Sequence, residues 1–302
     1  MASPIFHIGY HKTATTWFQN QFYPAVANVT VMPRDRLRKS LILPRALDFD
    51  VTPVHADLSC LDTHMVFCDE ELSGNIHSGG HHGCLTVELA RRLHAAAPDG
   101  QVVIFLRNQV DMIASVYRQY VRVGGTYGVD RYLWHQGIRP NRAPLFDLGH
   151  FDYHRLIQHY VGLFGRDQVK IYLFEDFKND SRTFLEGYAR DLELEVDLDA
   201  LNYSPDLPAY GDWSVRIARL MNLFSSEELP YKYYLLHIPR LHGCLHQTLS
   251  NWNRVDWLRK ASPAKAYLGR QNVAEIEARF AESNAALEQE FELGLPERGY
   301  PV

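Results

Sequence analysis

A chain of 302 residues, 46% of them hydrophobic, can bury a substantial core as one large α/β domain or two smaller ones. A net charge of −5 argues against a general nucleic-acid binder. Cys60, Cys68, Cys84 and Cys244 show no CxxC pair and no regular spacing, so reduced thiols are expected instead of a disulfide framework.

In chain order, Ile5–Ile8 reads as a short apolar strand that ends in a tight turn at Gly9, and Thr16–Tyr23 as the helix that follows. Met65–Cys68, Val102–Leu106 and Val169–Phe174 are further strands, rich in Val, Ile, Leu and Phe and bounded by polar or turn residues. Helices are predicted at Leu85–Ala96, Met112–Val121, Tyr153–Phe164 and Ser181–Leu192. The longest is Val273–Phe291, where Ile276, Phe280, Leu287 and Phe291 recur near helical spacing and Asn272 is the expected cap. This alternation predicts an α/β fold with a central parallel sheet flanked by helices on both faces. The stretch 203–260 is rich in Tyr and Trp and broken by prolines. It reads as a helical elaboration over the open sheet edge, within a single domain covering 1–302. No apolar run approaches the length of a membrane span, and the first strand starts about four residues after Met1, leaving no room for a signal peptide.

The segment from Ile5 to Phe18 is strand, phosphate-cradling loop, helix. Unpaired backbone N–H groups at a helix start accept an anion, Lys12 adds a point charge, and Thr13, Thr15 and Thr16 add hydroxyl donors. It resembles a P-loop, but His11 stands where that pattern has a glycine before the lysine. A second motif follows Val102–Leu106: Arg107-Asn108-Gln109, then Asp111 and Ser115. Arg107 lies at a strand's carboxyl end, where open α/β sheets bind ligands, and its fork can grip a phosphate through two hydrogen bonds. Ser115 offers a hydroxyl to the same anion. Tyr117, Asp111 and Arg118 read as structural or helix-face residues.

With both motifs in order and about ninety residues apart, the chain resembles the sulfotransferases that use 3′-phosphoadenosine 5′-phosphosulfate (PAPS), of the bacterial type with a P-loop-like fold. Gly9–Trp17 looks like their 5′-phosphosulfate loop, G-x-x-K-[TS]-x-T-T-[WL]. Arg107–Ser115 looks like their 3′-phosphate motif, R-N-P-x-D-x-x-x-S, with Gln109 for proline, and Val169–Phe177 is similar to their strand ending in YED or FED. The resemblance implies PAPS as co-substrate with no metal required. It implies that His11, Lys12, Thr13, Ala14, Thr15 and Thr16 surround the 5′-phosphosulfate, with Lys12 on the bridging oxygen. Trp17 would stack on adenine, the other reading being that it packs as core, and Arg107 and Ser115 would hold the 3′-phosphate with Arg270 as a weaker contact. Phe174 stands where some relatives have an adenine-contacting tyrosine. Membrane-anchored Golgi relatives carry an N-terminal anchor, so the chain is expected to be bacterial or cytosolic, and cytoplasmic.

Sulfonyl transfer also needs a base within reach of the acceptor hydroxyl or amine. The stretch Cys68-Asp69-Glu70-Glu71-Leu72-Ser73-Gly74 is similar to the S-x-E-x-L-x-G-like segment of bacterial sulfotransferases, which puts Glu70 on the acidic position. A histidine is the alternative: His77, His81 and His82 lie in the glycine-rich loop Gly74–Gly83. With Cys84 they suggest zinc, but no second ligand pair has the spacing. His7 is expected to point into the sheet packing, and His11 to donate to the sulfonate. The run Arg34, Arg36, Arg38, Lys39 and Arg45 is either a solvated face or an attractor for an anionic acceptor. Tyr203, Tyr210, Trp213, Tyr231, Tyr233, Tyr234, Trp252 and Trp257 are core or interface residues, or a sugar-stacking cleft. A carbohydrate, a lipid and a small metabolite all stay open as acceptor. Two other readings stay open as well: a P-loop kinase or NTPase, with Asp69 as its metal-binding aspartate, and a non-catalytic nucleotide-binding protein.

Overall fold

A computed structural model describes residues 3–59, 63–134, 145–204, 211–225, 234–252 and 262–302, without the side chains of 246, 250 and 252. Cys60, Tyr210, Tyr231, Tyr233, Trp257 and the side chain of Trp252 therefore lie outside the described residues. The chain divides into two compact units. The first is Met1–Asn108, Ile138–Asp206 and Phe280–Val302; the second is Gln109–Gly137 and Leu207–Arg279.

The first unit is built on a five-stranded parallel sheet. Its strands are β1 (Ile5–His7), β2 (Val29–Val31), β3 (His64–Cys68), β4 (Gln101–Leu106) and β5 (Val169–Leu173), in the order β2-β3-β1-β4-β5. Four of the five were legible as apolar runs. β2 is only Val-Thr-Val on the sheet's edge, half-buried throughout, so it lacks the apolar run that marks its neighbours.

Alternation along the strands divides the core. Ile5, Val66, Cys68, Val103 and Phe105 face a cluster containing Trp17, Phe18, Phe22, Tyr23, Phe177, Leu185 and Tyr188. His7 joins this face as predicted: it is fully buried and stacked on Phe105 with ring centroids 5.0 Å apart. Its Nδ1 bonds the Tyr23 hydroxyl at 2.8 Å, and that hydroxyl bonds Tyr188 at 2.6 Å. On the opposite face Phe6 packs on Phe67 and on Phe164 of the helix Tyr153–Phe164. Burying one such ring stabilises the fold by roughly 1.5–3 kcal/mol relative to leaving it exposed.

The predicted helices form with small shifts in their ends: Cys84–Ala96, Gln109–Arg122, Tyr153–Phe164 and Ser181–Asp191. The expected first helix is regular only over Thr15–Trp17, then widens into a π-type turn over Phe18–Phe22. The long C-terminal helix starts at Arg270, earlier than the periodicity suggested. Asn272 consequently does not cap it. Its amide donates instead to the Leu268 carbonyl and to Asp130 at 2.7 Å.

In the second unit Arg118 bonds Asp212 and the Ser262 carbonyl and lies over the Tyr267 ring, and the buried Tyr117 donates its hydroxyl to the Tyr127 carbonyl. Both are structural, as read. Among the described aromatics of 203–260, Tyr203, Trp213 and Tyr234 are exposed, so these three are not core, which leaves the interface and sugar-stacking readings for them. No described helix is long and apolar enough to cross a membrane.

Candidate active site

Because all five strands run parallel, their carboxyl ends share one edge of the sheet. Strand order reverses about the central β1, and a ligand crevice is expected beyond the carboxyl ends at such a point. Five connections leave this edge in the first unit: the Gly9–Ala14 loop after β1, Met32-Pro33 leading to Arg34 after β2, the acidic turn after β3, Arg107-Asn108 after β4 and Phe174-Glu175-Asp176 after β5.

The loop after β1 is tightly wound. Gly9, Lys12 and Ala14 all have positive φ, at 70°, 66° and 67°. Such alternation turns successive backbone N–H groups toward a common centre, a concavity suited to an anion. Gly9 is required sterically as well, since a Cβ there would lie 2.8 Å from the Thr15 hydroxyl. Thr13 is fully buried and donates to the Tyr10 carbonyl at 2.5 Å, so it braces the loop. The Thr15 hydroxyl is buried with no hydrogen-bond partner among the described residues, which fits a donor kept for a ligand. Thr16 is half-buried at the first turn of the short helix.

Ala14, like Lys12, is strained, because a left-handed conformation costs an L-residue about 1–2 kcal/mol. Glycine removes that strain but returns about 0.4–1 kcal/mol of unfolded-state entropy. Ala14→Gly is therefore expected to stabilise the chain by about 0.5–1 kcal/mol, read as a higher urea midpoint at unchanged slope. A lower midpoint would mean that packing of the Ala14 methyl against the core outweighs the strain.

Arg107 meets this loop from β4. Its Nη1 donates to the Lys12 carbonyl at 3.0 Å, and its guanidinium lies 4.9 Å from the centre of the Phe174 ring. Its own carbonyl accepts from the Tyr153 hydroxyl at 2.7 Å. The FED segment, which the sequence presented only as a likeness, buttresses this turn. Glu175 accepts from the Asn108 N–H at 2.9 Å and from the Tyr300 hydroxyl at 2.9 Å, and burial raises its pKa above the ordinary glutamate value. Asp176 accepts from Arg298 at 2.7 Å, and Asn108 donates to the Gly299 carbonyl. The C-terminal segment thus secures the strand end that carries Arg107, a role invisible in its local sequence.

Trp17 is 5% exposed. Its indole N–H donates to the Asn202 carbonyl at 2.8 Å, and its ring packs near Phe18, Phe177 and Tyr203. Ser115 and Arg270 belong to the second unit. Ser115 is half-buried on the helix Gln109–Arg122. Arg270 is exposed and lines a recess with Asp130, Trp134, Asn272 and Glu275.

The acidic turn after β3 is the most interconnected part of the site. Asp69 is fully buried and accepts from Arg34, Arg38 and the Glu71 N–H. The arginines lower its pKa against the opposing effect of burial. Glu70 accepts from Arg34 through Oε1 at 2.7 Å, while its Oε2 is buried with no partner among the described residues. Glu71 lies 3.3 Å from His11 Nε2. The basic run is thus largely directed at carboxylates: Arg34 and Arg38 as described, Arg36 to Asp57, and Arg45 to Asp48 at 3.5 Å. Neither the solvated-face nor the anion-attractor reading accounts for Arg34 and Arg38. The available signal was their four-residue spacing, which puts both on one side of a helix.

Among the loop histidines, burial lowers His77 to about 4, and His82 lies 3.9 Å from Asp147. His150, which no local pattern marked, packs its ring 5.2 Å from that of Tyr10, and burial lowers it to about 3.

The chain matches no protein-family model and no curated protein. Among solved structures it is similar to a sulfotransferase from Alicyclobacillus acidocaldarius, with 19% identity and a TM-score of 0.49 over 84% of this chain and 100% of that one. It is also similar to the mouse sulfotransferase SULT7A1 complexed with PAP, with 12% identity and a TM-score of 0.44 over 94% of this chain and 85% of that one. The α/β architecture stands on the strand order itself, and the functional reading on the side chains around the loop.

Proposed function

We propose that this chain is a PAPS-dependent sulfotransferase that moves a sulfonate to a hydroxyl or amine acceptor, with both compact units serving one sulfotransferase domain. One observation carries the reading. A wound, glycine-initiated loop bearing Lys12 and a buried Thr15 hydroxyl with no partner among the described residues stands at the carboxyl edge of the sheet, beside a strand-end arginine and a strand-end glutamate. A phosphosulfate fits the loop's donors, and Arg107 is proposed for the 3′-phosphate. His11, Thr13, Ala14 and Thr16 complete the proposed nucleotide contacts, whereas Trp17 packs in the core and is not available to stack on adenine. Lys12 would stabilise the charge that grows on the bridging oxygen as the S–O bond breaks. Glu70 Oε2 would take the acceptor proton.

Asp69 argues against a P-loop kinase or NTPase. An aspartate at this strand end would have to offer an oxygen to magnesium, yet both Asp69 oxygens already accept from Arg34, Arg38 and the Glu71 backbone.

Calorimetry with PAP, followed by sulfur-labelled PAPS with a panel of glycans, lipids, metabolites and amines, tests the reading. Failure to bind PAP, with tight magnesium-dependent ATP binding, would overturn it. Glu70→Gln is expected to lower transfer on the order of 10²-fold at unchanged PAP affinity. Full activity in that variant would point to a histidine base, with His77 the next residue to replace.

A further inference from the structure

We propose that Arg34 is a positioning residue: it bridges Asp69 and Glu70 so that Glu70 presents a single carboxylate oxygen, Oε2, to the reacting hydroxyl. The inference rests on the sulfotransferase reading for what Glu70 does, but the bridge itself is geometric. Arg34 Nε donates to Asp69 Oδ2 at 2.9 Å, and Arg34 Nη2 donates to Glu70 Oε1 at 2.7 Å. Arg38 completes the arrangement from the far side, with Nε to Asp69 Oδ2 at 2.7 Å and Nη2 to Oδ1 at 3.3 Å. The Glu71 N–H fills Oδ1 at 3.0 Å.

A carboxylate with no exposure is tolerable only when cations and N–H groups replace its water, and Asp69 has this on both oxygens. It is therefore a fixed post rather than a reacting group. Arg34, whose side chain stays 41% exposed, ties that post to the next residue. With Oε1 held, the Glu70 carboxylate cannot rotate freely, and Oε2 alone is left without a protein partner among the described residues. The bridge needs a planar fork that reaches two carboxylates at once, which arginine has and lysine lacks. The segment after β2 thereby acts on the chemistry at the end of β3 without touching substrate.

The test compares Arg34→Met, Arg34→Lys and Glu70→Gln in the full chain. PAP affinity is measured by calorimetry, and release of labelled sulfate from PAPS in water gives a rate that needs no identified acceptor. Both Arg34 variants are expected to keep PAP affinity within about 2-fold and to lose rate on the order of 10-fold, the scale of a slightly misplaced group. Combining Arg34→Met with Glu70→Gln is expected to slow the enzyme no further than Glu70→Gln alone, because the arginine acts only through that glutamate. A wild-type rate in Arg34→Lys, or fully multiplicative losses in the double variant, overturns the proposal. If Arg34→Met does not fold, Arg34→Lys decides. If the wild-type chain binds no PAP, the nucleotide reading fails while the bridge is still tested: the Glu70 carboxyl ¹³C resonance at pH 7.5 should move in Arg34→Lys, and an unmoved resonance refutes it.

Discussion

Lys12→Met is expected to lower turnover of PAPS about 10³-fold while PAP affinity falls far less. The substitution keeps the length of the side chain and removes its charge. It also leaves the backbone problem unchanged, since φ is 66° at this position and methionine bears the same Cβ as lysine. The Lys12 carbonyl, which accepts from Arg107, is untouched. The loss should therefore report the charge and not the fold of the loop. A cation on the bridging oxygen matters most when that oxygen becomes a leaving group, so its removal should appear in kcat more than in nucleotide binding. Single-turnover rates with labelled PAPS, alongside PAP calorimetry, check this. A variant that loses PAP binding and rate in equal proportion would show that Lys12 serves ground-state binding alone.

Acidification is expected to unfold the first unit well before its carboxylates titrate. Burial holds His7 near 3, His77 near 4 and His150 near 3, against an unfolded value of about 6.5. Between those limits the unfolded chain binds more protons than the folded one, so stability falls as pH drops from 6.5 toward 4. Keeping one such imidazole neutral at pH 4 costs about 3 kcal/mol, and three together approach the whole stability of a typical domain. Asp69 acts in a different window: its depressed folded pKa withdraws stability only below the ordinary aspartate range. Urea midpoints at pH 7.5, 6, 5 and 4.5 should fall steeply across this series, and His150→Gln should flatten the fall. A midpoint constant from pH 7.5 to 4.5 would contradict the burial of these rings.

Much of the site can be read from short contiguous stretches. The Gly9–Trp17 loop, Arg107 at a strand end, and Glu70 after the second apolar run each carry their signal within about ten residues, since strand, turn and helix start are local properties of the chain. The edge strand β2 was missed because three half-buried residues provide no period to detect. Asn272 was misread as a cap because the helix continues past it toward the N-terminus, a boundary that periodicity of apolar residues does not define.

By itself, then, the sequence determined the α/β class and the positions of four apolar strands along the chain, and it offered the stretches around Lys12 and Arg107 as proposed anion-binding motifs. Tertiary structure alone decided which charges meet. Arg34 and Arg38 looked like a surface patch and instead surround Asp69, some thirty residues away. Glu175 and the C-terminal Tyr300 meet at the turn beyond Arg107, and Trp17 is drawn into the core with its N–H on Asn202. The physical reason is the parallel topology. It brings every strand's carboxyl end to one edge, and so juxtaposes side chains whose partners lie far off in the chain and leave no periodic trace.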